Sequence, residues 1–114
     1  MDYQLYSKNV DVTDSLKEYL DLRMDRVERL HAPAISVRVD ISRDAHHHAG
    51  EIFRVEINFN VTGKLLRVVE FNQDARAAID LAIEKLDRQL TKYKSKKLDS
   101  KRRGGKLIDK LLRR

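Results

Sequence analysis

Cysteine is missing from this sequence altogether. Its absence excludes disulfides, thiolate metal sites and cysteine nucleophiles, and it fits a reducing compartment. No apolar run approaches the roughly 20 residues that a bilayer-spanning helix needs, and no charged-then-apolar leader opens the chain. Together these give the expectation of a cytoplasmic protein with no membrane partner. Aromatic residues make up only 6%, so few side chains are available to stack on bases. Phosphate-cradling glycine loops, a G-x-S-x-G elbow and paired-carboxylate motifs are also absent. The sequence therefore reads as neither an enzyme nor a cofactor carrier.

What it does contain is charge, unevenly placed. The 114 residues are 37% charged with a net charge of +6, enough chain for one domain with a single modest core. Residues 1–91 hold 13 Lys/Arg against 16 Asp/Glu, whereas residues 92–114 hold 11 against 2. A positive end on a mildly acidic body suits a polyanionic partner approached from one side.

Six elements follow from periodicity. "DYQLYSK" sets Tyr3 and Leu5 on one face of a short strand. Thr13 is an N-cap with Asp14 in the first turn, where a carboxylate suits the helix dipole. Leu16, Leu20, Val27 and Leu30, with Tyr19 and Met24 beside them, recur at helical spacing to about His31, and Pro33 stops the helix. "AISVRVDIS" alternates Ile35, Val37, Val39 and Ile41 inward. After a loop, "RDAHHHAGE", a third strand does the same with Phe53, Val55, Ile57, Phe59 and Val61. "TGK" is a hairpin turn. In "LLRVVEF" the phase is ambiguous, Leu66 and Val68 competing with Leu65, Val69 and Phe71 for the core. Asn72 or Asp74 caps a second helix expected to reach about Lys96.

The order β-α-β-β-β-α implies an α+β two-layer sandwich. Its four-stranded sheet is wet on one face and packed by both helices on the other, with a right-handed first crossover. Residues 98–114, "LDSKRRGGKLIDKLLRR", read as a basic flexible tail with a break at Gly104-Gly105. Three adjacent histidines, His46-His47-His48, lack the spacing of a zinc site and read as a polar loop.

The second helix carries the functional signal. At about 100° per residue and with Lys85 as zero, Ile79, Ile83, Leu86, Leu90 and Tyr93 fall between about 80° and 160°. Asp80, Glu84 and Asp87 fall between about 200° and 260°, and Lys85, Arg88, Lys92 and Lys96 between about 300° and 20°. Charge is sorted by sign around the helix. A helix shaped only for solubility intersperses signs and gains from i,i+4 pairs, whereas stacked cations repel unless phosphates line up along them. Nucleic acid is the natural partner, recognised by backbone and shape. Arg23 and Arg26 on the first helix could extend one positive surface if the helices lie side by side.

The element order, "NVDVTDSLKEYL" and above all "QDARAAIDLAIEKLDRQLTKYKSK" resemble the bacterial ribosome hibernation-promoting factor and ribosome-associated inhibitor family, over about residues 1–97. The resemblance implies a fold like a double-stranded RNA-binding domain. It also implies a ribosome hibernation factor, which lodges in the mRNA/tRNA channel of the small ribosomal subunit and blocks translation in resting or starved cells without chemistry. Carried over by position, the residues contacting ribosomal RNA would be Arg23, Arg26, Lys85, Arg88, Gln89, Lys92, Lys94 and Lys96. Two features depart from the pattern: Arg76 stands in an aromatic position, and the tail is basic, too short for a further ribosome-pairing domain. Whether such a factor pairs ribosomes, with a separate small dimerising partner, or idles single ones stays open. The competing expectation is a generic RNA-binding module not dedicated to the ribosome; a membrane-surface role for the last eleven residues is weaker.

Overall fold

A computed structural model describes residues 2–31, 34–47 and 50–112, with side chains described outside 45–51 and 97–112. The elements run β1 (Gln4–Lys8), α1 (Asp14–Leu30), β2 (Ser36–His47), β3 (Gly50–Val61), β4 (Lys64–Asn72) and α2 (Ala75–Leu112). The sheet order is β1-β2-β3-β4. β1 pairs with β2 in parallel, Leu5 opposite Val39, and the other two pairings are antiparallel. A parallel neighbour requires a crossover, which α1 supplies. Asn9 turns the chain out of β1 in the left-handed region, φ 58°, which asparagine tolerates better than most residues.

Helix α1 starts where expected. Thr13 Oγ1 accepts from the Leu16 amide at 3.2 Å, occupying one of the donors a helix leaves unpaired at its start. At the other end the His31 amide closes onto the Val27 carbonyl. Leu16, Leu20, Met24 and Val27 are buried, but Leu30 is 51% exposed. Ile35 is likewise exposed, at 67%: it stands before β2 begins, its amide donating to the Asn60 carbonyl. Pro33, expected to stop α1, lies outside the described residues.

The inner face of the sheet presents Val37, Val39, Ile41, Val55, Ile57, Phe59, Val61, Leu66 and Val68, all buried. The ambiguous phase of β4 is resolved by register: Leu66 faces Phe59 and Val68 faces Ile57, while Leu65 and Phe71 point to the open face. Gly63 turns the β3–β4 hairpin at φ +79°, a conformation that suits glycine. Both helices cover the inner face, with Ile79, Ile83, Leu86 and Leu90 of α2 joining the α1 residues in one cluster.

Two expectations change. The stretch read as a loop after Ser42 is mostly strand: β2 continues to His47 and β3 begins at Gly50, with a register shift between Asp44 and His47. Arg43 lies on the inner side of the pleat yet is exposed, so this end of the hairpin needs no apolar alternation to remain paired. His46 and His47 belong to β2 and not to a loop; their side chains, and all of His48, lie outside the described residues. The second correction concerns α2, which does not end near Lys96 but continues through Gly104-Gly105 to Leu112.

The open face of the sheet is held by a polar network. Glu56 accepts from Arg67 Nε at 2.8 Å, Arg54 Nη2 at 3.0 Å and Asn58 Nδ2 at 3.2 Å. Burial pushes the Glu56 carboxyl up, but these donors outweigh it and hold it below its ordinary value. Arg38 bridges to Asp40 and stacks 4.0 Å from the Tyr6 ring centre.

Leu20, fully buried, should cost about 2–5 kcal/mol when changed to alanine, measured by urea unfolding. Glu56 contributes stability that is complete above the unfolded value of about 4.3 and is lost as pH falls through its lower folded value. Melting of the Glu56→Gln variant should therefore show a shallower loss of stability than the parent below about pH 4.

Candidate nucleic-acid interface

The rotation of α2 about its axis decides where every charge on it points. Its apolar stripe lies on the sheet, with Ala78, Ile79, Ala82, Leu86 and Leu90 buried and Tyr93 half-buried. The Tyr93 hydroxyl donates to the Thr62 carbonyl at 2.7 Å, pinning the helix to the β3–β4 turn. At the helix start, the Arg76 amide bonds to Asp74 Oδ1 at 3.2 Å and the Ala78 amide to the Asp74 carbonyl at 3.0 Å. Asp74 is therefore the cap, and Asn72 instead accepts from the Asp74 amide.

With the stripe fixed, the acidic edge of α2 turns toward α1. The Tyr19 hydroxyl donates to Asp80 Oδ1, Arg23 Nε lies 3.3 Å from the same oxygen, and His31 Nε2 lies 3.1 Å from Asp87 Oδ1. Arg76 Nη2 donates to Ser15 Oγ at 2.7 Å. These contacts advance together along both helices, so α1 and α2 run in the same direction. Two guanidinium groups flank the Tyr19 ring, Arg23 at 5.0 Å and Arg76 at 5.2 Å from its centre. Arg76, the position expected to be aromatic, thus ties the two helix starts together. The Tyr19 hydroxyl and, after it, Asp80 hold the Arg23 guanidinium above its ordinary pKa.

The basic edge of α2 turns the other way, toward β4. Lys85 Nζ lies 3.6 Å from Glu70 Oε1, and Arg88 Nη1 lies 3.6 Å from Glu84 Oε1. Both contacts are long and solvent-exposed, the kind of pair worth about 0–1 kcal/mol. Lys92, Lys94 and Lys96 are exposed, with no carboxylate partner among the described residues. Gln89 is half-buried beside them.

The eight expected contact residues therefore do not form one surface. Lys85, Arg88, Gln89, Lys92 and Lys96 share the edge of α2 that overhangs β4. Arg23 is engaged with Tyr19 and Asp80 on the far side of the helix, and Arg26 is an exposed residue of α1. Between the two groups runs the acidic row Asp80, Glu84 and Asp87. Lys94 stands about half a turn away from Lys85 on the helix, at about 180°, on the side of this row. The expectation of one continuous positive surface across both helices is corrected accordingly.

Two cations that sequence reasoning left unassigned complete the β4 side. Lys64 and Arg67 line a groove of about 450 Å³ with Leu65, Leu66, Gln89, Lys92, Tyr93 and Lys96. The ambiguous phase of β4 hid them: only with Leu66 and Val68 inward does Arg67 fall on the outer side. Lys64 opens β4 directly after the turn at Gly63, a position with no periodic signal.

Known proteins share both the sequence pattern and the fold. The sequence pattern of the family described as "Sigma 54 modulation protein / S30EA ribosomal protein" matches residues 3–98. The "Ribosome hibernation promotion factor" of Deinococcus radiodurans is 35% identical over 103 residues, 90% of this chain and 53% of that protein. The "Ribosome hibernation promoting factor" of Azotobacter vinelandii is 31% identical over 99 residues, 87% of this chain and 88% of that protein. The chain spans about half the length of the Deinococcus relative and of its Bacillus subtilis counterpart. Among solved structures, the N-terminal domain of Thermus thermophilus Protein Y superimposes with a TM-score of 0.68 at 28% identity, covering 80% of this chain and 96% of that one. A ribosomal subunit interface protein from Coxiella burnetii shares the fold, with a TM-score of 0.70 at 21% identity, over 83% of this chain and 99% of that one. A matched pattern spanning all six elements, together with relatives above 30% identity, places this chain in the Sigma 54 modulation protein / S30EA ribosomal protein family.

Proposed function

We propose that this chain is a ribosome hibernation factor that binds the small ribosomal subunit in the mRNA/tRNA channel and inhibits translation in resting or stressed cells. The observation that carries the reading is the sidedness of α2. Its apolar stripe is committed to the sheet and Asp80 and Asp87 of its acidic edge to α1, while Lys92 and Lys96 of its cationic edge point outward. Lysines held in a row by a helix suit the phosphates of ribosomal RNA, each neutralised phosphate releasing counterions. The names of the relatives support the ribosome as the polyanion.

The action is occupancy, not catalysis: a rigid domain fills the space that messenger and transfer RNA would use, and phosphate contacts hold it there. Residues 1–97 form the ribosome-binding unit, and the basic segment 98–114, into which α2 continues as far as Leu112, adds non-specific attraction to RNA. Arg23, Arg26, Lys85, Arg88, Gln89, Lys92, Lys94 and Lys96 are the proposed contact set. Within it, the β4-side residues dominate, because Arg23 already serves Asp80 and sits across the acidic row. The factor acts in the cytoplasm, and a small ribosome-dimerising protein is a further proposed partner. Among the described residues no helix is long and apolar enough to cross a membrane.

The chain should co-sediment with small ribosomal subunits at low salt and be released as salt rises; recovery in the ribosome-free fraction at every salt concentration would end the proposal. Charge reversal should rank the contacts. Lys92→Glu with Lys96→Glu should weaken binding more than Lys85→Glu with Arg88→Glu, since the latter two already lie beside Glu70 and Glu84. Both double variants should keep a cooperative melt, because all four side chains point away from the core. Equal losses in a binding titration would show that local carboxylates do not grade the stripe.

A further inference from the structure

Two grooves on this protein differ in sign. The one on the open face of the sheet is lined by Arg38 and Arg54 together with Asp40 and Glu56, so its cations are already matched. The groove between β4 and α2 has no carboxylate among its lining residues: Lys64, Arg67, Gln89, Lys92, Tyr93 and Lys96 line it together with Leu65 and Leu66. Lys64, Lys92 and Lys96 have no carboxylate partner among the described residues, and all three are exposed. Arg67 does have one, Glu56, which approaches from the open sheet face at 2.6 Å and leaves the guanidinium 61% exposed.

The groove is also shaped. Its two walls are independent elements clamped at one end, where the Tyr93 hydroxyl donates to the Thr62 carbonyl. That bond fixes the Tyr93 ring, so its orientation costs nothing further on binding. Leu65, 59% exposed, adds apolar surface beside it. Lys92 and Lys96 lie one helical turn apart, about 6 Å along the axis, which suits successive phosphates of one strand. On the opposite wall Lys64 and Arg67 stand three residues apart in β4, about 10 Å along the strand and on alternate sides of its pleat. A pair of cationic rims around an aromatic and apolar floor is the arrangement that single-stranded nucleic acid favours: rims for the backbone, floor for a base or ribose.

We infer that the groove between β4 and α2 is a track for a single RNA strand. In it Lys64 on one wall and Lys92 and Lys96 on the other hold phosphates, Arg67 adds positive charge from the open sheet face, and a nucleoside rests beside Tyr93. This rests on the ribosomal reading above and extends it, since it moves the contact surface off the helix and onto the sheet edge. An acidic polypeptide would satisfy the rims but gains nothing from a fixed aromatic floor, so RNA is the occupant the groove favours.

The test is lysine footprinting by acetylation and mass spectrometry on the unaltered chain, free and bound to isolated small ribosomal subunits. Lys64 should lose reactivity together with Lys92 and Lys96, while exposed Lys8 at the far side of the sheet keeps it. Protection of Lys92 and Lys96 with Lys64 as reactive as in the free protein would overturn the groove and leave the helix reading standing. If all four lysines stay reactive and the chain does not bind, both readings fall. A carbodiimide cross-link from Lys64 to a ribosomal-protein carboxylate would overturn RNA as the occupant. In a salt titration, Lys64→Ala with Arg67→Ala should flatten the logarithmic slope by about 1, since a single strand gives about 0.7 for each phosphate and Arg67 is already held by Glu56. The Lys64→Arg, Arg67→Lys chain should keep the parent slope, and an unchanged slope in the alanine variant would count against the track.

Discussion

The burial of one stripe of α2 against the sheet is the constraint from which the rest follows. Ile79, Leu86 and Leu90 can be covered in only one rotation of the helix, and Tyr93 locks that rotation at the β3–β4 turn. Once it is set, Asp80 and Asp87 must meet α1, and Lys85, Lys92 and Lys96 must overhang β4. Hydrophobic burial, worth about 1.5–3 kcal/mol for each large apolar side chain, thus sets the direction of charges that individually contribute little to stability. A surface suited to a polyanion is in this sense a by-product of core packing.

The acidic row follows from the same constraint. Opposite charges mixed along one face would neutralise each other and leave a weak, symmetrical field. Sorting them by sign lets α1 absorb the negative charge through Arg23, Tyr19 and His31. The positive edge then faces solvent, tempered by Glu70 and Glu84 at Lys85 and Arg88 and strongest at Lys92 and Lys96. Arg76 participates from the start of the helix by bonding Ser15 and flanking the Tyr19 ring, so an arginine in an aromatic position serves the helix–helix contact.

Much of this was legible from residues alone, wherever a period repeated. The alternation in β3, the Thr13 cap and the angular sorting on α2 all reflect short-range geometry, which sequence spacing encodes directly. Misreadings arose where the deciding contact is distant in sequence. Nothing local says that Leu66 and not Leu65 turns inward; pairing with Phe59 does. A polar stretch such as Arg43-Asp44 carries no sign of being strand, because cross-strand hydrogen bonds hold it outside the helical layer. The expected merging of the basic edges of α1 and α2 failed for the same reason: which side of α2 meets α1 is a tertiary fact. Lys64 and Arg67 escaped notice because the phase of β4 was undetermined.

The parallel pairing of β1 with β2 has a bearing on how the chain reaches this state. Gln4 meets Arg38, whereas β2, β3 and β4 follow one another as hairpins. Strand β1 therefore leaves a ribosome with no partner until α1 and the start of β2 have also emerged, and its docking closes the longest loop among the strand pairings. Assembly of the three-stranded meander should precede it, since local pairings pay less closure entropy than distant ones. This strand is thus made before its neighbour and seated last, a sheet edge whose order is acquired only when the rest of the layer is already in place.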